Sequence, residues 1–202
     1  MFITFEGLDY SGKSTQVERL ASHLRTEGRT VRVLREPGGT PIGERIRSML
    51  LDRSTSGLTE AGELFLFSAS RAQLVQEVIR PALEAGDDVL CDRYDDSTTA
   101  YQGYGRGIPL DVIHAVNRHA TGGLVPALTF VFDIPLAELD RRVRAAGASR
   151  DRMESSGPEF FERVRDGFLA LAKTESRFRV LDGCQTADAL QDQILAHVRA
   201  AR

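Results

Sequence analysis

The chain has 202 residues, 42% hydrophobic and 27% charged, which fits one domain with at most a small insert and excludes wholesale disorder, collagen and coiled coil. Its 26 Lys and Arg against 29 Asp and Glu leave a net charge of −3, so no general basic field favours sequence-independent binding of nucleic acid. Two cysteines, Cys91 and Cys184, are too few for a disulfide framework or a four-ligand zinc site, and the expected setting is reducing and cytoplasmic.

The first predicted element is a strand over Phe2–Glu6. No basic segment precedes it and Glu6 breaks its apolar run, which does not fit a secretory signal. Gly7-Leu8-Asp9-Tyr10-Ser11-Gly12-Lys13-Ser14 follows, a match to G-x-x-x-x-G-K-[ST] between a strand and a helical pattern over Lys13–Glu27. Such a turn lets backbone N–H groups and a helix N-terminus converge on phosphate oxygens. Lys13 would neutralise the outer phosphates and Ser14 would complete a magnesium shell. GTPases, motor ATPases and small-molecule kinases all share this loop, so it leaves the reaction open.

A strand over Thr30–Leu34 comes next, then helical patterns over Pro41–Leu51 and Leu58–Glu84. In the second, Phe67 and Arg71 stand four apart on one helical face, where a ring and a guanidinium can stack on and hydrogen-bond a planar base. Asp88–Cys91 is a buried strand that ends in Asp92-Arg93. In an open α/β sheet these residues emerge beside the phosphate loop, Asp92 for magnesium, directly or through water, and Arg93 for a phosphate. The stretch from Asp96 to Gly107 is dense in hydroxyls, an amide and aromatics; it suits a small polar ligand and reads equally as a solvated loop.

A helix over Leu110–Thr121 and a strand over Thr129–Asp133 follow. The longest apolar run, Leu124 to Phe132, contains Pro126 and Thr129 and is about half of what a membrane-spanning helix needs, so no membrane association is expected. Beyond a helix over Leu136–Ala146, the segment 141–157 carries Arg141, Arg142, Arg144, Arg150 and Arg152 among glycines and serines, the composition of a short mobile lid. Helices over Pro158–Thr174 and Thr186–Ala201 flank a last strand, Arg177–Leu181. Strands alternating with helices predict a single α/β domain over residues 1–202: a P-loop NTPase, a three-layer sandwich with a five-stranded parallel sheet.

Five segments together resemble bacterial thymidylate kinases: GLDYSGKST, REPGGTPIGERIR from Arg35, FLFSASRAQLVQEVIRPAL from Phe65, DRYDDSTTAYQGYGRG from Asp92, and SRDRMES from Ser149. The resemblance implies transfer of phosphate from ATP, with Mg2+, to dTMP, giving dTDP. It implies that Arg71 contacts O4 of thymine, that Thr98 and Gln102 face the N3 edge, that Phe67 stacks, and that Tyr101 crowds the position of a ribose 2′-hydroxyl. Arg93 and Arg47 match arginines for the acceptor phosphate, with Pro37 and Ser97 beside them, and Asp9 matches an acid near the sugar 3′-hydroxyl. ATP would lie along Gly7 to Thr15, with Arg141 or Arg142 and the stretch around Gly183 and Gln185 beside its adenine.

Eukaryotic-type members carry an arginine inside the P-loop, where this chain has Tyr10 and Ser11. The lid then supplies that charge, and Arg150 and Arg152 are the candidates, with nothing to choose between them. The family pattern further implies a homodimer. A different nucleotide or nucleoside kinase, a GTP-binding switch and a non-catalytic nucleotide-binding module are the competing readings.

Overall fold

The computed structural model describes residues 1–55, 57–147, 152 and 157–202. Its centre is β1 (Phe2–Gly7), buried along its whole length. It pairs in parallel with β3 (Asp88–Asp92) on one side and β4 (Leu128–Asp133) on the other; β2 (Val31–Arg35) and β5 (Phe178–Asp182) form the edges, giving the order β2-β3-β1-β4-β5. The five-stranded parallel sheet is as expected, with strand ends shifted by a residue at most.

Alternation along the strands sorts side chains to two faces. Ile3, Phe5, Leu90, Phe130 and Phe132 pack with Val17, Leu20 and Leu24 of α1 (Lys13–Thr26) and Ile194 and Val198 of α9 (Ala187–Ala200). On the opposite face, Phe2, Val89 and Cys91 meet α3 (Glu60–Leu74) and its continuation, while Val131 meets α8 (Pro158–Leu171). These are the three layers. Between them the chain also forms α2 (Pro41–Leu51), α6 (Leu110–Thr121) and α7 (Leu136–Ala146), whose bounds equal those read from the sequence. Thr40, Thr59 and Thr186 cap α2, α3 and α9 by accepting from the N–H of Gly43, Gly62 and Ala189.

Two elements differ from the sequence pattern. The helix expected over Leu58–Glu84 breaks into α3, a π-helical turn at Val75–Ile79, and α4 (Arg80–Glu84). Pro81 explains the break: its ring lacks an N–H and crowds the carbonyl four residues back, and the wider turn relieves both. The polar stretch after Asp92 is not a loop but α5 (Asp95–Thr98) running into a second π-helical turn, Thr99–Gly105. It packs tightly on α8, where a Cβ at Gly105 would come within 2.6 Å of Phe160.

Arg177 at the start of β5 anchors α5 from below. It donates 2.6 and 2.8 Å bonds to the buried Asp96 carboxylate and a third to Thr129, which shares a hydrogen bond with Thr4. Removing one partner of a buried pair leaves the other charge uncompensated. Arg177→Ala is therefore expected to lower unfolding free energy by about 3 kcal/mol, read from urea midpoints at neutral pH. An unchanged midpoint would show that the pair does not anchor this face.

Candidate functional site

β1 and β3 are neighbours in space, so the loops leaving their carboxyl ends open side by side, where sheets of this type hold ligands. The loop after β1 requires glycine at its first position: Gly7 has φ 130°, and a Cβ there would lie 2.5 Å from the Phe132 carbonyl oxygen. Gly12, at φ 99°, turns the chain into α1. Lys13 is buried and its ammonium donates to the Leu8 carbonyl at 2.7 Å. Burial and the neighbouring Arg93 push its pKa down to about 8, against the opposing pull of Asp92, Asp9 and Glu6. The Ser14 hydroxyl donates to Asp92 Oδ2 at 2.6 Å, bringing together the two expected magnesium ligands from separate loops. Both are hard oxygen donors, and Mg2+ commonly takes one or two such protein groups and completes its shell with phosphate and water, so the pair fits the ion.

One cleft of roughly 580 Å³ runs from this loop to the end of α3. Asp9, Tyr10, Gly12, Lys13, Ser14 and Thr15 line one end, and Phe67, Arg71, Thr98, Tyr101 and Gln102 the other, with Pro37, Arg47, Asp92, Arg93 and Ser97 also on its wall. Leu8 and Ser11 are buried behind the loop.

Arg93 occupies the middle with a left-handed backbone, φ 72°, unusual for a residue with a side chain. Glu6 holds that turn: its carboxylate accepts from the Tyr94 N–H at 2.7 Å and from the Ser97 hydroxyl. The Arg93 guanidinium then donates to Asp9 at 2.6 Å, to the Gly7 carbonyl at 3.0 Å and to Ser97, and lies 5.2 Å over the Tyr101 ring. Burial would raise the Asp9 pKa, but Arg93 and Lys13 outweigh it and hold the carboxyl below its ordinary range. Glu6 behaves oppositely: burial and the Asp96 charge push it up from 4.5 to about 8.

Arg71 is 1% exposed. It pairs with Glu36 at 2.7 Å and donates to Thr98, Asn117 and the Tyr94 carbonyl. Its Nε–H, and Oε1 of Glu36, have no hydrogen-bond partner among the described residues. Burial lifts the Glu36 carboxyl to about 7 although Arg71 opposes the shift. Arg47 donates to the Pro37 carbonyl at 2.9 Å, which ties α2 to the same wall.

The remaining expected residues divide. Arg141 is 67% exposed on the side-chain scale and pairs with Glu138. Arg142, one position on, donates to the Tyr10 carbonyl at 3.0 Å and the Gly183 carbonyl at 2.8 Å and lines the cleft, so it is the arginine that bridges the phosphate loop to the Gly183 turn. Gln185 sits on that turn and accepts from Gln193. Arg152 donates to the Leu50 carbonyl at 2.8 Å and to Glu63 at 2.6 Å, on the α2–α3 side. Arg150 lies outside the described residues, as does most of 148–156. Glu6, Glu36, Glu63 and Asn117 were not among the residues singled out for the site. The only signal for Glu6 and Glu36 was an acid next to a strand end, and for Glu63 an acid in the first turn of the helix that carries Phe67 and Arg71.

The family model described as thymidylate kinase matches residues 5–194. A curated thymidylate kinase of Desulfovibrio desulfuricans is 50% identical, the match covering 92% of this chain and 88% of that one. That of Deinococcus radiodurans is 49% identical over 98% of this chain and 96% of its own. A crystal structure of thymidylate kinase from Ehrlichia chaffeensis superposes with a TM-score of 0.79 at 34% identity, covering 98% of both chains.

The elevated Glu6 carboxyl has a consequence for stability. A carboxyl whose pKa rises on folding stabilises the fold fully below its unfolded value of 4.5, and that contribution is lost as pH climbs through about 8. Glu6→Gln removes the titration while keeping the shape, so its stability should fall less steeply than the parent's between about pH 5 and pH 8. Parallel profiles from urea titrations across that interval would show that Glu6 does not titrate there.

Proposed function

The chain belongs to the thymidylate kinase family and converts dTMP to dTDP, and on that premise we propose how its cleft divides the work. ATP is the donor, as membership of the family implies. Its phosphates lie in the Gly7–Thr15 loop, with Lys13 on the outer groups, and its adenine lies near Arg142 and the Gly183 turn. The observation that carries this reading is the continuity of the cleft from Lys13 through Arg93 to Arg71. Donor and acceptor phosphates can meet beneath one guanidinium.

The acceptor is already an anion, so the reaction needs little help from a base. What opposes it is repulsion between two polyanions and the charge spread over the transferred group as an acceptor oxygen attacks in line and ADP departs. Arg93 grips the acceptor phosphate, with Arg47 behind it, and Asp9 keeps Arg93 oriented. Mg2+ held by Ser14 and Asp92 would add charge neutralisation across the donor phosphates. A lid arginine, Arg150 or Arg152, supplies the remaining positive charge, an effect worth about three to five orders of magnitude in rate where such an arginine acts.

Thymine lies between Phe67 and Arg71. Its O4 accepts where cytosine carries an amine that donates, and a guanidinium can only donate. Phe67 and Arg71 both line that end of the cleft, which supports the contact. Tyr101 beside the sugar disfavours ribose, and Thr98 and Gln102 face the N3 edge.

A homodimer is the assembly we favour. α2 and α6 each pack against α3, and the three helices leave Ile42, Met49, Phe65 and Val112 exposed, Phe65 by 60%. Such an apolar patch on adjoining helices suits a second copy of the chain. Among the described residues no helix is long and apolar enough to cross a membrane, which suits the cytoplasm.

Two measurements test this reading. In an ADP-release assay with ATP and magnesium, dTMP should be the preferred acceptor over dCMP, dAMP and dGMP, thymidine should be inert, and chelation of the metal should abolish turnover. Turnover that survives chelation would remove Ser14 and Asp92 from the mechanism. Arg71→Ala should weaken dTMP binding by about 2 kcal/mol in calorimetry, the scale of a lost charged donor; unchanged affinity would take Arg71 out of the base pocket.

A further inference from the structure

Glu63 opens the buried face of α3 with its side chain 2% exposed, and the reaction described above gives it no role of its own, although the candidate lid arginine Arg152 pairs with it. Its Oε1 receives the Gln102 Nε2 at 2.9 Å and the Arg106 Nε at 3.2 Å. Its Oε2 receives Arg152 at 2.6 Å and the second arm of Arg106 at 3.4 Å. Arg106 is itself fixed, its guanidinium 4.5 Å over the Phe160 ring. Burial would raise the Glu63 pKa, yet Arg106, Gln102 and Arg152 together hold it below the ordinary carboxylate range. Glu63 is therefore a carboxylate, and a carboxylate only accepts.

That chemistry removes a freedom from Gln102. The two ends of a glutamine amide are alike in shape and opposite in polarity, so a free side chain presents donor or acceptor with equal ease. Against Glu63 the NH2 end must face the carboxylate, and the carbonyl oxygen is the end left for the cleft that Gln102 lines. We propose that Glu63 is a specificity-determining positioning residue: by holding the amide of Gln102 it keeps an acceptor in front of the N3 edge of the pyrimidine. This rests on the reading that Gln102 faces that edge. Thymine presents N3–H, a donor, beside O4, an acceptor. Cytosine presents the reverse at both positions. Gln102 so oriented and Arg71 read one half of the pattern each, and an amide free to turn would lose its half.

The test is a specificity ratio. Glu63→Gln replaces an obligate acceptor by a group that can donate or accept, so Gln102 is released with little change in volume. The KM for dTMP is expected to rise about tenfold, the scale of one hydrogen bond to a buried polar group, with the KM for ATP unmoved. The dTMP to dCMP ratio in kcat/KM should fall by about the same factor. The dTMP to dUMP ratio should stay put, since uracil shares the N3–H and O4 edge; loss of packing alone would not make that distinction. Exchanging the pair, Glu63→Gln with Gln102→Glu, rebuilds donor against acceptor and leaves a carboxylate oxygen for N3–H, and it should recover the preference for dTMP. If Glu63→Gln fails to fold, the exchanged pair decides alone, and a folded exchange variant no more selective than Gln102→Ala overturns the inference. Gln102→Ala keeps the two failures apart. Should it leave the KM for dTMP unchanged, the base pocket itself is misplaced. Should it raise that KM while Glu63→Gln alters neither KM nor ratio, the base pocket stands and Glu63 has no part in it.

Discussion

A cleft that joins two polyanions must hold positive charge out of water, and a guanidinium out of water is tolerable only against a carboxylate. That constraint arranges most of this molecule. Arg93 has Asp9, Arg71 has Glu36, Arg106 and Arg152 have Glu63, and Arg177 has Asp96. Each acid comes from a different element than its partner, so the pairs also fasten the loops after β1, β2 and β3 to the helices around them. The charge needed for binding and the cohesion of the cleft wall are one set of contacts.

The same logic explains why some acids depart from their ordinary pKa in opposite directions. Asp9 has Arg93, Lys13 and Arg47 nearby and stays ionised. Glu6 has no such majority: it accepts from a backbone N–H and a hydroxyl, with Asp96 near, and so holds its proton far longer. Its task is to shape the backbone at Arg93, for which hydrogen bonding matters more than charge. Carboxyls of one cleft wall are thereby separated into counter-ions and struts by what surrounds them.

Much of this was legible beforehand. The strand–glycine–helix order around Lys13, the acid and arginine at the end of Asp88–Asp92, and the Phe67–Arg71 spacing are local signals, because backbone geometry fixes where such residues emerge. The helix after Asp92 was not legible. One side of it faces a polar cleft, and the others meet α8 through Ala100, Tyr104 and Gly105 and α6 through Gly103, so it lacks the apolar period by which helices are recognised. Glu63, Glu36 and Asn117 were hidden for another reason: their partners lie 18 or more positions away along the chain, a distance no spacing rule spans. The choice between Arg141 and Arg142 likewise depended on the rotation of α7, which a run of alternating arginines does not define.

The π-helical turn at Thr99–Gly105 sets a limit on how this chain can vary. It accommodates one residue more than an α-helical register would, and Tyr101 and Gln102 sit within it, side by side on the cleft wall. Deleting a single position there would let the turn close to α-helical register, displacing Tyr101 and Gln102 on the wall while the chain beyond kept its place. The sugar and base contacts proposed for these two residues would be lost together while most of the hydrophobic interior stayed as it is. Natural variants are thus freer to exchange side chains in this stretch than to change its length, and a homologue one residue shorter would be expected to read a different nucleotide, or none.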